Sequence, residues 1–328
     1  MKISVTIATY NRCDLLNSVL EAFSLQDSSL DLFEVVVCDS YSTDNTDEII
    51  EFWKSKLDIC CVQTDNILAK KRNVGIENSK YDYVIFLDDD CVPEIDFISK
   101  YREVFEGNFG KKSVFCGNVI YPSDWVNKSN YYRFRNQRHI KSNKSHKLDY
   151  KTIVVMNMGF NKKIFVDSVI GVNENFIGYG CEDQELGWRL MSNGVEISKS
   201  DANIIHYETT DNILGYIKKI HRASRDGMKT LIKFCPEAAW NIPICKYIEP
   251  DYPYSKKSSK LIYNLLNKII FNGFLNSLVI RYLCITDKIK FLYSPRLYRY
   301  VLACAYLDGI KDRGCELKLE DVNRRGWY

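Results

Sequence analysis

The chain has 328 residues, of which 46% are hydrophobic and 27% are charged. This is the composition of an ordinary globular protein, which excludes a disordered, collagen-like or fibrous chain, and the length allows one large or two small domains. Its 45 Lys and Arg residues are nearly balanced by 42 Asp and Glu residues, which leaves a formal net charge of +3. Binding of nucleic acid through overall basicity is therefore excluded as well.

The N-terminal residues run directly into a strand-like pattern at Ile3–Ala8, without a charged leader or a cleavage site, so a signal peptide is not expected. No apolar stretch reaches the roughly 20 residues that a membrane-spanning helix needs. The twelve cysteines form no C-x-x-C pair, so we expect reduced, mostly buried thiols rather than a zinc site or disulfides. Together these features predict a cytoplasmic protein.

Strand-like and helical periods alternate over the first ninety residues. The predicted strands are Ile3–Ala8, Phe33–Cys38, Ile59–Gln63 and Tyr83–Leu87, and the predicted helices are Asp14–Leu25, Thr46–Lys56 (with Thr43 or Asp44 as N-cap) and Leu68–Asn78. This alternation, with nearly continuous apolar strands, indicates an α/β fold in which helices cover both faces of a parallel sheet.

Polar clusters follow three of these strands, at residues 9–12, 39–44 and 88–90. In open α/β sheets, ligands bind outside the carboxyl ends of the strands. We therefore expect the three clusters to meet at one edge of the sheet and to form a binding site there.

The third cluster is Asp88-Asp89-Asp90. Carboxylates at i and i+2 of an extended chain point the same way, so Asp88 and Asp90 can share a hard cation such as Mn2+ or Mg2+, which in turn binds phosphate oxygens. The alternative is a solvated acidic turn. Three carboxylates at the mouth of a buried strand repel one another unless a cation neutralises them, which favours a metal site.

The pattern changes beyond residue 95. We predict, in chain order, a helix at Phe97–Phe105, a strand at Ser113–Tyr121, a basic and turn-rich segment at Lys128–Lys147, a strand at Thr152–Phe160, a helix at Glu182–Asn193 that ends at Gly194, a strand at Ile197–His206, helical structure over 212–235, and a Pro-bearing linker at Pro236–Pro253 that leads into a mostly helical tail.

Seven sequence motifs, taken in order, resemble those of a known family. The motifs are ISVTIATYNR, VVVCDSYSTDNT, AKKRNVGI and VIFLDDDCVP in the first half, which resemble family 2 inverting glycosyltransferases of GT-A fold. The second half has NMGFNKKIF, GYGCEDQELGWRLMSNG and IIHYE, which are similar to the galactosyltransferase-like C-terminal motif of bacterial capsule and chondroitin polymerases. The family's usual Asp-Asp-Gly and Gly-Gly are replaced here by Cys38-Asp39-Ser40 and Gly180-Cys181.

The resemblance implies a GT-A fold, that is, a mostly parallel twisted sheet with helices on both faces, extended here by a helical C-terminal region. Residues 1–125 would be the half that binds the nucleotide sugar, and residues 126–235 the acceptor-binding and catalytic half. Residues 236–328 would form the linker and the basic helical extension.

The resemblance also assigns roles to residues of the first half. The donor-binding residues would be Thr9, Tyr10, Arg12, Asp39, Arg72, Asp88 and Asp89, with Asp39 accepting from the uracil N–H and Arg72 reaching the donor phosphates or Asp88. The metal ligands would be Asp90, Asp88 and His206. The alternatives are an Asx cap of a turn at Asp39, a surface helix charge at Arg72 and a structural role for His206.

In the second half, Asp183 would be the general base, while Glu182 and Gly180 would bind the acceptor. An acidic pair that only caps a helix N-terminus is the alternative for Glu182 and Asp183.

The function that follows is an inverting, Mn2+- or Mg2+-dependent glycosyltransferase. It would move a sugar from a UDP-sugar to a hydroxyl of a glycan or lipid-linked saccharide, in bacterial surface polysaccharide synthesis. A catalytically degenerate sugar-nucleotide-binding scaffold subunit is one alternative. A nucleotidyltransferase is another, although residues 8–14 contain no glycine for the loop that such an enzyme needs.

The tail is strongly basic, since residues 252–300 contain nine Lys and Arg and one acid. A basic amphipathic helix of this kind can lie on an anionic membrane surface, which would make the protein peripheral on the inner face of the cytoplasmic membrane. The alternative is a helical bundle that packs on the catalytic domain. For this tail and for the basic segment Lys128–Lys147, we expect anionic lipid or a phosphate-bearing acceptor as the partner rather than nucleic acid.

Overall fold

The computed structural model describes residues 1–139, 147–208, 210–247 and 269–312, and the strands of these residues form one eight-stranded sheet. The strands are β1 (Ile3–Thr9), β2 (Phe33–Asp39), β3 (Ile59–Gln63), β4 (Tyr83–Asp88), β5 (Cys91–Pro93), β6 (Ser113–Ile120), β7 (Asn157–Asn161) and β8 (Glu196–His206).

Helices cover the sheet and form the C-terminal region. They are α1 (Cys13–Ser24), α2 (Thr46–Lys54), α3 (Leu68–Asn78), α4 (Phe97–Gly107), α5 (Ser123–Lys128), α6 (Asn130–His139), α7 (Lys162–Val169), α8 (Glu182–Ser192), α9 (Ile213–Ala223), α10 (Lys229–Phe234), α11 (Pro236–Trp240), α12 (Gly273–Thr286) and α13 (Pro295–Lys311). A π-helical turn, Ser224–Met228, joins α9 to α10.

The strand order is β3-β2-β1-β4-β7-β6-β8-β5. Strands β3, β2, β1 and β4 are mutually parallel, β7 is antiparallel to both of its neighbours, β8 is parallel to β6, and β5 is antiparallel to β8. The expected mostly parallel α/β sheet with a helical C-terminal region is confirmed. The predicted strands and helices of the first ninety residues are confirmed to within two residues at each end.

Alternate residues of β4 show why both faces of the sheet carry helices. Ile85 and Leu87 pack into a core with Leu16 of α1. Val84 and Phe86 point the other way, into a second core with Phe165 of α7. Because successive side chains of a strand point to opposite faces, a strand that is apolar throughout requires cover on both sides.

The parallel register brings the predicted polar clusters to one edge. Thr9 pairs with Asp39 of β2, and its neighbour Ala8 pairs with Asp88 of β4. All three strands therefore end at the same level, as the sequence predicts.

Two predictions in the middle of the chain are wrong in part. The strand predicted at Thr152–Phe160 begins only at Asn157, because the Asp149 side chain accepts from the Lys151 N–H and starts a 3-10 turn there. The basic segment Lys128–Lys147 is not turn-rich where it is described, since it contains α6. The aromatic residues of α6 are buried, and so is Arg135, which pairs with Glu208.

The linker predicted at Pro236–Pro253 is also wrong over its described part, which ends at residue 247. Pro236 occupies the first turn of α11, where its missing N–H costs no hydrogen bond. Ala238, Ala239 and Cys245 are buried in a core with Phe176. The rest of this prediction lies outside the described residues.

The C-terminal helix α13 packs against α9. Gly309 makes the contact close, because a Cβ there would lie 2.3 Å from the carbonyl oxygen of His221. The predicted bundle on the catalytic domain is thus observed for α13, while residues 252–268 of the basic tail lie outside the described residues. Within the described part, no helix has the length and apolar character to cross a membrane, and none of the eleven cysteines there is in a disulfide.

Candidate active site

A cavity of about 670 Å³ opens at the edge where β1 and β4 end. Its polar lining includes Thr9, Tyr10, Arg12, Lys71, Arg72, Asp88, Asp89, Asp90, Tyr179, Glu182, Asp183, His206 and Lys219. The cavity therefore brings together all the residues predicted for the site except Asp39 and Gly180.

The Asp89 carboxylate is buried and has both of its oxygens paired within the protein. Its Oδ1 lies 2.7 Å from Nη1 of Arg12, and its Oδ2 accepts a hydrogen bond of 2.8 Å from the Thr9 hydroxyl. Burial raises the pKa of Asp89 to about 6, against the opposing charge of Arg12. Thr9, Arg12 and Asp89 thus brace the ends of β1 and β4 against each other, and the alternative of a solvated acidic turn is wrong because Asp89 and Asp90 are buried.

Asp90 faces His206 across the cavity wall, with Oδ1 3.4 Å from Nε2. The strand ladder creates this contact, since Cys91 of β5 pairs with His206 of β8. Burial disfavours the Asp90 carboxylate, but the hydrogen bond and charge of His206, together with Arg12, outweigh it and hold the pKa of Asp90 below its usual range. The carboxylate is therefore ionised at neutral pH.

The side chains here fit a divalent cation. Ligand atoms of Asp90, Cys91 and His206 lie within 4.8 Å of one another, and Nδ1 of buried His206 has no hydrogen-bond partner. Burial keeps the pKa of the Cys91 thiol well above its usual value, and a protonated thiol is a poor ligand for Mn2+ or Mg2+. Asp90 and His206 are thus the residues that would hold the cation, whereas Asp88 lies with Arg72.

Arg72 is buried between two carboxylates. Its Nη2 lies 3.2 Å from Asp88 Oδ1 and its Nη1 lies 3.6 Å from Asp183 Oδ1, while Phe86 lies under the guanidinium. Burial opposes the charge, but Asp88 and Asp183 outweigh it and raise the pKa of Arg72. With 5% of the side chain exposed, the alternative of a surface helix charge is wrong.

Glu182 and Asp183 are the first two residues of α8. Asp183 Oδ2 accepts a long hydrogen bond, 3.4 Å, from the N–H of Val155, and its Oδ1 has no hydrogen-bond partner. Burial raises the pKa of Asp183, and burial together with the Asp183 charge raises the pKa of Glu182 to about 7. A carboxylate with a raised pKa and an oxygen that accepts no hydrogen bond is, in a cavity, suited to proton transfer.

Asp39 and Gly180 lie outside the cavity lining. Asp39 is fully buried and accepts hydrogen bonds from the backbone N–H and the hydroxyl of Ser42, which matches the Asx cap of the alternative interpretation. Gly180, at φ +100°, lies against α9, where a Cβ would come within 2.6 Å of the Cβ of Ala223. In the structure, these two residues shape the loops that carry the site.

Sequence reasoning missed two lysines. Lys71 donates to the carbonyl oxygen of Thr9 and to Asn66, both at 2.8 Å, and burial lowers its pKa to about 8. Lys219 of α9 pairs with Glu208 at 3.0 Å and lies over the ring of Tyr179. Lys71 stands beside Arg72 in the AKKR motif and was recognisable from it, whereas no local pattern distinguishes Lys219.

The mixed eight-stranded sheet with helices on both faces is the GT-A fold that the sequence predicts. The chain belongs to glycosyl transferase family 2, whose family model matches residues 4–169. A second model, described as the N-terminal domain of galactosyltransferase, matches residues 136–212. The expected family and enzyme class are thereby confirmed.

Similar proteins include polysaccharide synthases and sugar transferases. A chondroitin synthase from Pasteurella multocida is 26% identical over 238 residues, which are 63% of this chain and 24% of that protein. The chain therefore spans about a quarter of the length of this relative.

Among solved structures, a mannosyltransferase from Pyrobaculum calidifontis with GDP-Man and Mn2+ has a TM-score of 0.58 at 14% identity, over 94% of this chain and 86% of that one. Residues 1–349 of Staphylococcus aureus TarS with UDP-GlcNAc give 0.53 at 15% identity, over 95% and 91%. Both likenesses support the fold.

Proposed function

We propose that this glycosyltransferase moves a sugar from a UDP-sugar to a hydroxyl of a glycan or lipid-linked saccharide, with inversion and with a divalent cation, in bacterial surface polysaccharide synthesis. One observation carries the proposal. Asp183, which has a raised pKa and an oxygen without a hydrogen-bond partner, shares a cavity with the Asp90–His206 pair, and Arg72 lies between Asp88 and Asp183. One bound donor can therefore reach Asp183 as the base, the Arg72 guanidinium as a phosphate-binding group, and the candidate metal site at Asp90 and His206.

The reaction is a single displacement. Asp183 takes the proton of the acceptor hydroxyl while that oxygen forms its bond to the anomeric carbon. The bond from this carbon to the diphosphate oxygen breaks, and its electron pair leaves with UDP. Because attack and departure are on opposite faces, an α-linked donor gives a β-glycoside.

Two further groups support this step. Arg72 is held in place by Asp88 and offers its charge to the diphosphate as negative charge develops there. Glu182 binds the acceptor sugar beside the base. A cation held by Asp90 and His206 would supply additional positive charge to the leaving group.

The donor proposal also specifies the nucleotide, which we expect to be UDP. The UDP-GlcNAc complex of TarS supports a UDP-sugar, and the mannosyltransferase with GDP-Man represents the competing donor class. A contact between Asp39 and uracil requires one carboxylate oxygen to exchange Ser42 for the base. The division into donor-binding residues 1–125, acceptor-binding residues 126–235 and an extension at 236–328 belongs to the same proposal.

Titration of UDP with and without Mn2+, followed by an assay of UDP-sugar hydrolysis, tests the proposal. We expect Mn2+ to tighten UDP binding and the bound donor to be turned over, with chondroitin oligosaccharides as the first acceptor probe. Metal-dependent UDP binding without any turnover would favour the scaffold subunit. Turnover of a nucleoside triphosphate with a sugar phosphate would favour the nucleotidyltransferase.

The proposed partners include an anionic membrane surface, with the protein on the cytoplasmic side. Helix α12 exposes Phe274, Leu278 and Ile285 on one face, with exposed fractions of 75%, 49% and 67%. Exposed Arg281 and Lys288 lie in and just after the same helix. An apolar face with basic residues beside it matches a bilayer that carries acidic headgroups.

Vesicle co-sedimentation of the full chain measures this association. We expect at least about tenfold stronger binding to phosphatidylglycerol vesicles than to phosphatidylcholine vesicles. Reversal of three exposed charges, Arg281→Glu, Lys288→Glu and Lys290→Glu, should remove the difference. The matched control reverses exposed Lys2, Lys54 and Lys56 in the catalytic part. Equal loss in both variants, or no loss in the first, would exclude α12 as the docking surface.

A further inference from the structure

A second cleft, of about 410 Å³, lies beside the active-site cavity. Its lining includes Asp124 and Trp125 of α5, Tyr132 of α6, and Glu208 and Asp211 after β8. None of the roles assigned so far uses this cleft.

The two cavities share a wall. Lys219 lines the active-site cavity and Glu208 lines the cleft, and their side chains form an ion pair of 3.0 Å. Lys219 also lies over the ring of Tyr179, which precedes Glu182 by three residues. The cleft therefore adjoins the side of the cavity on which the proposed acceptor residues stand.

The shared wall is rigid. Glu208 accepts from Arg135 at 2.8 Å and from the hydroxyl of Tyr121 at 3.2 Å, and the ring of Tyr216 stacks on Arg135 at 3.9 Å. All these groups except Lys219 are buried. A wall held in this way fixes the distance between the two cavities, as a site for a covalently linked substrate requires.

The chemistry of the cleft suits a saccharide. The ring of Trp125 is held by Tyr132, with ring centroids 4.8 Å apart, and meets Tyr207 edge-on. Asp124 and Asp211 are exposed carboxylates at the same cleft, and Lys128, which also lines it, lies 3.7 Å from Asp124. A sugar offers an apolar face for an aromatic ring and hydroxyl donors for carboxylates. With three carboxylates, of Asp124, Glu208 and Asp211, against the one lysine, Lys128, the lining is mostly negative, which disfavours a phosphate group.

From this arrangement we infer that the cleft is an acceptor subsite. It binds a sugar unit of the acceptor chain next to the unit whose hydroxyl attacks. The inference rests on the proposed transfer to a glycan. The enzyme would then recognise a second sugar unit of the acceptor besides the terminal one, and binding of that unit in the cleft would position the attacking hydroxyl for Asp183.

Acceptor length is the variable that tests the subsite. The probes are a chondroitin tetrasaccharide and the monosaccharide from its non-reducing end. We expect the wild-type KM for the tetrasaccharide to be at least about tenfold lower than the KM for the monosaccharide. Trp125→Ala should remove this advantage by raising the tetrasaccharide KM, with a much smaller change in kcat. Trp125→Phe keeps an aromatic ring and should restore most of the advantage.

Two measurements separate this effect from misfolding and from failure of the proposed function. Asp211→Asn, at an exposed carboxylate, should raise the KM for the tetrasaccharide without changing thermal stability. The control Phe109→Ala, at a remote exposed aromatic residue, should leave the KM of both acceptors unchanged. Equilibrium binding of the tetrasaccharide in the presence of UDP reports on the cleft without turnover. A wild-type protein that binds both probes equally overturns the subsite, whereas absence of UDP-sugar hydrolysis overturns the proposed function alone.

Discussion

Asp183→Asn is expected to lower turnover by at least about 100-fold, because the amide cannot accept the proton of the attacking hydroxyl. UDP binding should change little, since Asp183 touches Arg72 only at 3.6 Å and Arg72 keeps its closer partner Asp88. The measurement is steady-state transfer together with UDP titration. A matched control is Asp201→Asn, at an exposed position of β8.

The pH profile gives the same prediction a second readout. A base must be ionised to act, and burial raises the pKa of Asp183, so activity should fall as the pH drops through a value above that of an ordinary aspartate, about 3.9. The acid limb of the wild type should therefore lie at higher pH than an exposed carboxylate would give, and Asp183→Asn should lack that limb. Near-wild-type turnover in this variant would remove Asp183 from the role of base.

Asp90→Ala is the second large effect, again at least about 100-fold in turnover. Asp90 is buried and ionised and faces His206, so its loss takes away the carboxylate of the candidate metal pair. The tightening of UDP binding by Mn2+ should disappear with it. Mn2+ titrations of UDP binding and of turnover measure both effects.

A comparison with Asp89 makes the second prediction specific. Asp89→Asn disturbs the brace with Arg12 and Thr9, so it should lower the melting temperature while Mn2+ still tightens UDP binding. His206→Gln should behave like Asp90→Ala. An Asp90→Ala protein that keeps the wild-type response to Mn2+ would show that the cation binds elsewhere.

The first ninety residues were predictable because their structure follows from local periodicity. The strands β1, β2 and β4 are mostly apolar and buried, and α1 and α2 each have an apolar face, so the parallel sheet and the edge that gathers Thr9 and Asp88 follow from the pattern alone. The expected pairing of Asp90 with His206 came from the family motif. A separation of 116 residues in sequence does not predict this contact, which is formed because β5 and β8 pair in the sheet.

The wrong predictions share a physical cause. A basic segment favours exposure, yet Arg135 of α6 is buried because Glu208 neutralises it and Tyr216 stacks on it. Pro236 favours a linker, yet the same residue is compatible with the first turn of a helix. In both places a tertiary partner, distant in sequence, decides between two local possibilities.

Cys181 stands where the family's second glycine is usual, and its left-handed backbone, φ +67°, costs a side chain about 1 kcal/mol. The cysteine has a contact that glycine lacks, since its sulfur lies 3.7 Å from the hydroxyl of Tyr306 in α13. The loop before Asp183 is thus anchored to the last described helix of the chain. Exchange of these residues into a chimeric polysaccharide synthase should therefore carry the sequence through Lys311, because a splice after β8 would remove the contact between Cys181 and Tyr306.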